Sequence, residues 1–186
     1  MDQSEIIHRQ SLRLKDFDYS QAGAYFVTIC TNNRQWLFGE IRQGEMVLSA
    51  IGRLVSAQWQ QIPYRFAGLE LGAWIVMPNH IHGILIITRS GEASNLITPV
   101  LQETADRKTP PTQPRGTAPG SVGAIIQNYK SITSRKISRQ DESMRAAIWQ
   151  RNYYEHIIRN EREFRAISEY IIANPHNWEH DMENKV

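Results

Sequence analysis

Two apolar, β-prone runs separated only by Pro78-Asn79 constrain this chain more than any other feature. The first spans residues 71–77 and the second residues 80–87. Branched and aromatic side chains suit strands and a Pro-Asn pair suits a turn, so the spacing predicts two strands about a turn. The second run opens with His80-Ile81-His82. Alternate residues of a strand share a face, which puts two imidazoles on one side about 7 Å apart along the backbone. Such a pair can converge on one divalent ion, and its place beside the turn sets it where a sheet meets a cleft. Alone, a His-x-His pair seldom binds a metal, so its meaning rests on what the rest of the chain brings to it.

The 186 residues suit one domain with a sizeable core and an insertion. A net charge of +2 is too small to argue for a polyanionic partner by itself, so the distribution of charge has to carry that case. Cys30 is the single cysteine and lies in an apolar run. A disulfide framework or cysteine metal cage within the chain is therefore excluded, and a small buried thiol is expected. Met1-Asp2-Gln3-Ser4-Glu5 lacks a basic, then apolar, leader, and no run reaches membrane-spanning length. These features predict a soluble cytoplasmic protein without a membrane partner.

Residues 1–22 read as an N-terminal arm and residues 23–186 as a single domain. Residues 24–31 read as a strand, followed by the turn-like Asn32-Asn33-Arg34. Two short strands are expected over residues 36–41 and 45–48, joined by Arg42-Gln43-Gly44 as a hairpin turn. From Ser49, the apolar positions Ile51, Leu54, Val55 and Trp59 fit a helix ending near Pro63. Residues 90–119 hold five of the eight prolines among many Thr, Ser and Gln, the composition of a flexible insertion.

Order resumes at residues 121–139, where Val122, Ile125, Ile126, Tyr129 and Ile132 recur at helical spacing. Lys130, Arg135, Lys136 and Arg139 punctuate this helix with no acidic residue. Such a face is ordinarily just solvated; beside a metal site it also suits phosphate contacts. A last helix is expected to begin at Asn160, with Glu163 completing a capping box, and to end at Asn174-Pro175. Within it, Tyr170 and Asn174 stand one turn apart on one face. A tyrosine can act as a covalent nucleophile, and an asparagine carbonyl can join two histidines around a hard cation. From spacing alone, a half-buried tyrosine and a helix-ending asparagine remain the simpler account.

Several motifs in order change that balance: Tyr25-Phe26-Val27-Thr28; Trp74-Ile75-Val76-Met77-Pro78-Asn79-His80-Ile81-His82; Trp149-Gln150-Arg151-Asn152-Tyr153-Tyr154-Glu155-His156; and Tyr170-Ile171-Ile172-Ala173-Asn174-Pro175. Through them the chain resembles the single-tyrosine HUH transposases, most closely the REP-associated tyrosine transposases. The resemblance implies an α+β, ferredoxin-like antiparallel sheet with helices on one face, of the HUH endonuclease type. It implies Mg²⁺ or Mn²⁺ held by His80 and His82 with Asn174 as third ligand. It further implies Tyr170 as the nucleophile that cleaves single-stranded DNA, leaving a 5′-phosphotyrosine and a free 3′-hydroxyl. Tyr153 and Tyr154 are rival tyrosines, read as structural or DNA-stacking. No other cofactor is implied, and family members occur as monomers and as dimers.

The expected partner is single-stranded or hairpin DNA. Lys130, Arg135, Lys136, Arg151 and Arg159 are the candidate backbone contacts, with Tyr153 or Trp149 as stacking surfaces. The residues after Trp178 are expected to add few contacts. Two competing readings remain: a hairpin-binding protein of the same fold without strand transfer, and a phosphodiesterase that uses water while Tyr170 is structural. A covalent protein–DNA adduct separates the first mechanism from both.

Overall fold

The sheet grows outward from residues 23–30, eight consecutive buried residues whose backbone has no water to bond and must find partners on both edges. In the computed structural model, which describes residues 18–88, 118–142 and 148–184, this segment is β1 (Gly23–Cys30). It pairs antiparallel with β5 (His80–Ile87) on one side and β6 (Tyr154–Ile158) on the other. Antiparallel pairing of β4 (Leu69–Val76) with β5 completes the order β4-β5-β1-β6. A separate hairpin is formed by β2 (Gly39–Arg42) and β3 (Glu45–Leu48).

Helices α1 (Ala50–Gln60) and α3 (Val122–Gln140) lie on one sheet face, and the short α2 (Ile62–Arg65) follows α1. This is the ferredoxin-like arrangement expected, with α1 and α3 sharing a face. The last helix, α4 (Glu161–Ala173), adds a layer on the opposite face.

Strand alternation sorts the side chains between these layers. Tyr25, Val27 and Ile29 of β1, with Ile81, Leu85 and Ile87 of β5, enter the larger core with Val55, Trp59 and Tyr129. Ala24 and Phe26, with Ile84 and Ile86, enter the smaller one with Ile167 and Ile171 of α4. His80 and His82 share the parity of Ile84, so they lie on the α4 side. Gly83 follows them on the other face, where a Cβ would come 2.4 Å from Cζ2 of Trp59. The glycine lets the indole lie flat against the strand.

The predicted local signals are largely in place. Ser49 caps α1 by accepting from Gly52 N, and Asn160 caps α4 by accepting from Glu163 N at 2.9 Å. Glu163 in turn accepts from Arg159 N at 2.7 Å, one residue before the cap, a variant of the capping box. Gln43 and Gly44, at φ 53° and 78°, make the β2–β3 turn, the pair of positive φ values that suits a right-twisted hairpin.

One expectation shifts. The strand expected from residue 36 begins only at Gly39, because Phe38 N is committed to Pro78 O and lays residues 36–38 along the histidine hairpin. Helix α1 ends at Gln60, near Pro63 as expected, and Pro63 then falls in the first turn of α2, where a missing N–H is harmless. Residues 1–17 of the expected arm and nearly all of the insertion expected at 90–119 fall outside the described residues.

Candidate active site

His80 and His82 stand opposite Cys30 and Thr28 in the β1–β5 register, with ring centroids 4.3 Å apart and almost no exposure. Each ring is held by its Nδ1. Asn79 Oδ1 lies 2.8 Å from Nδ1 of His80, while Asn79 Nδ2 donates to Glu183 O at 2.7 Å. The amide is thus oriented with its oxygen accepting. Nδ1 of His80 carries the proton, and Nε2 presents a lone pair. Thr28 Oγ1 holds Nδ1 of His82 at 2.9 Å. Asn79 also serves the turn, its carbonyl accepting from Thr31 N and Thr31 Oγ1.

Burial holds both imidazoles neutral. Desolvation, followed by the charges of His82 and Arg34, puts the His80 pKa well below the usual imidazole range. Desolvation lowers His82 to about 4, against a smaller upward pull from Asp181. The neutral form is the one that binds metals, so proton competition begins well below the pH near 6 expected from ordinary histidines.

Tyr170 and Asn174 reach the same place from the C-terminal half of α4. The Tyr170 hydroxyl lies 3.3 Å from Nε2 of His82, and its ring packs edge-on against Phe26. Desolvation, then the charge of Asp181, pushes its pKa upward, and a hydrogen bond from Asn174 pulls the other way. The phenol is therefore protonated at rest. The rival tyrosines are placed differently. Tyr154 packs against Phe26, whereas Tyr153 bonds Glu155 Oε2 at 2.7 Å and belongs with the larger core.

Asp181 lies in no motif that marks it from the residue order. Beyond α4 the chain turns through Trp178–His180 and Met182–Asn184 and folds back over the histidines. Trp178 lies 6.0 Å from the His80 ring, and Asp181 Oδ2 lies 3.9 Å from His80 Nε2. Glu183 pairs with Arg34 and accepts from the Cys30 thiol. His80, His82 and Asp181 bring ligand atoms within 4.8 Å of one another.

Nε2 of His80, Oδ1 of Asn174 and Oδ2 of Asp181 are each buried without a hydrogen-bond partner. An unsatisfied buried polar atom costs about 1–3 kcal/mol, a cost that a cation shared by these acceptors would relieve. Two imidazoles and two side-chain oxygens suit a divalent cation.

The basic candidates do not gather here. Lys130 donates to the carbonyls of Gln150, Arg151 and Asn152, tying α3 to the approach to β6, and burial lowers its pKa to about 8. Lys136 lines a cleft of about 560 Å³ between α1 and α3 with Arg53 and Arg139, on the sheet face away from the histidines. Arg135, Arg151 and Arg159 are exposed. Trp149 is no stacking surface: it is buried, and its Nε1 donates to Thr133 Oγ1 at 2.9 Å.

Against known proteins, the chain is 36% identical over 177 residues to an uncharacterised protein of Haemophilus influenzae, an alignment covering 95% of this chain and 93% of the relative. The chain belongs to that protein's family. No family model matches it. Among solved structures, it is similar to a REP-associated tyrosine transposase bound to a REP hairpin, with TM-score 0.56 and 19% identity over 90% of this chain and 76% of the other. At that identity the likeness is one of fold, and the fold of this family is that of the REP-associated tyrosine transposases.

Proposed function

We propose that the protein is a metal-dependent DNA transposase that cleaves and rejoins single-stranded DNA beside a hairpin, with Tyr170 as nucleophile. The observation that carries this reading is the Tyr170 hydroxyl 3.3 Å from His82, beside three buried ligand atoms that lack partners. His80, His82, Asn174 and Asp181 would hold Mg²⁺ or Mn²⁺. A bound cation would offset charge on a non-bridging phosphate oxygen and on the phenol as it ionises.

The chain's own residues do the rest. Asn79 and Thr28 fix the imidazoles, so little reorganisation is needed when DNA arrives. Asn174 steadies the phenol from one helical turn away. The Tyr170 oxygen forms a bond to phosphorus as the P–O3′ bond breaks, and one proton passes from the phenol to the departing 3′-oxygen. The products are a 5′-phosphotyrosine and a 3′-hydroxyl, and a second 3′-hydroxyl reverses the step without an external energy source. Arg135, Lys136, Arg151 and Arg159 would contact the backbone away from the cleaved bond. Lys130 and Tyr153 would shape that surface through their internal bonds.

The test uses labelled hairpin DNA from beside the protein's own gene, incubated with Mn²⁺ and run on a denaturing gel. Label should migrate with wild-type protein and not with Tyr170→Phe or His80→Ala/His82→Ala. Binding without any adduct would instead mark a hairpin-binding protein. Cleavage without an adduct would mark hydrolysis by water.

A further inference from the structure

We propose that Trp36 is a base-stacking subsite for an unpaired nucleotide flanking the cleaved phosphodiester. This rests on the function proposed above and specifies where that enzyme would hold its single strand. Trp36 is 51% exposed and packs on Trp178 beside His80 rather than on a remote surface. Its ring packs against Trp178 at 5.7 Å, and Trp178 packs against His80 at 6.0 Å. The free face is therefore two ring contacts from a metal-ligand candidate, a distance that a nucleotide or two of extended strand spans.

The platform is rigid. Asn33 and Arg34 both adopt positive φ, at 51° and 56°, a conformation that non-glycine residues rarely take in succession. Thr31 Oγ1 donates to Gln35 O at 2.8 Å, just before the indole, and Phe38 N donates to Pro78 O at 3.0 Å, just after it. Both anchors lead back to the histidine hairpin, because the same Thr31 hydroxyl also donates to Asn79 O. The loop thus sets the indole against Trp178, which itself packs on His80. An unpaired base suits the free face of the indole: aromatic stacking is indifferent to base identity and needs no hydrogen-bond partner.

The experiment measures affinity in Mn²⁺ for a labelled hairpin carrying a single-stranded flank and for the same hairpin without the flank. Trp36→Ala should weaken binding of the flanked DNA by roughly tenfold or more and leave the bare hairpin unchanged. Trp36→Phe, which keeps a stacking face, should stay within about threefold of wild type, and the salt dependence should not change because no phosphate contact is lost. An abasic nucleotide at one flank position should reproduce the loss in wild type and add nothing to Trp36→Ala.

The subsite alone is overturned if wild type forms the adduct while Trp36→Ala binds both DNAs as wild type does, or loses both equally. Wild type that neither binds nor cleaves either DNA overturns the functional reading and the subsite with it.

Discussion

The two faces of the sheet come from the same strands and do opposite work. Toward α1 and α3, β1 and β5 send aliphatic and aromatic side chains into a continuous core around Trp59 and Tyr129, and Tyr129 satisfies its hydroxyl on Val55 O. Toward α4 the apolar cluster is small, and beside it lie two neutral imidazoles, a protonated phenol, an asparagine oxygen and a carboxylate oxygen, three of these atoms unpartnered. One face concentrates stabilising burial, and the other gathers three buried acceptor atoms without a partner, which a cation would satisfy. Because the strands are shared, the rigid face positions the costly one.

The sharpest way to separate the faces is Tyr170→Phe. The adduct should fall at least about a thousandfold while the folded protein changes by less than about 1 kcal/mol, read by denaturing gel and by urea melt. The converse is Trp59→Ala, which empties the opposite face; about 3–5 kcal/mol of stability should be lost in the same melt. A variant of Trp59 that melts like wild type would break the division.

Acid should expose the cost of the polar face. His82 is lowered to about 4 when folded against an ordinary value of 6.5, so the unfolded chain takes up a proton that the folded one refuses. Stability of the metal-free protein is then full above about pH 6.5 and declines as pH falls toward 4, by up to about 3 kcal/mol from this residue. Melts in chelator across that range should show the decline, and His82→Gln should lessen it, the remainder coming from His80. The smallest expected effect is Asp181→Asn, which should weaken Mn²⁺ binding about tenfold in calorimetry. Unchanged affinity would remove Asp181 from the ligand set.

Much of the site was readable without coordinates because its core is local. His80 and His82 follow from strand alternation, Tyr170 and Asn174 from one helical turn, and the turn at Gln43-Gly44 from its residues. The ferredoxin-like order and the choice of Tyr170 over its neighbours were implied by motif resemblance rather than by periodicity. Other parts needed the folded chain. Lys130 reads as a free cation in sequence, yet three carbonyls lie around its ammonium. Trp149 reads as a surface aromatic, yet β1 and α3 enclose it.

Residue order alone specifies which residues share a strand face or a helix face, because those periods are set by backbone geometry within a few residues. Folding is what brings Asp181 to His80 across a hundred residues, lets Thr28 and Asn79 orient the two rings, and packs Trp36 on Trp178. Such meetings depend on where the chain returns after α4 and on what packing leaves unsatisfied, and no local spacing encodes either.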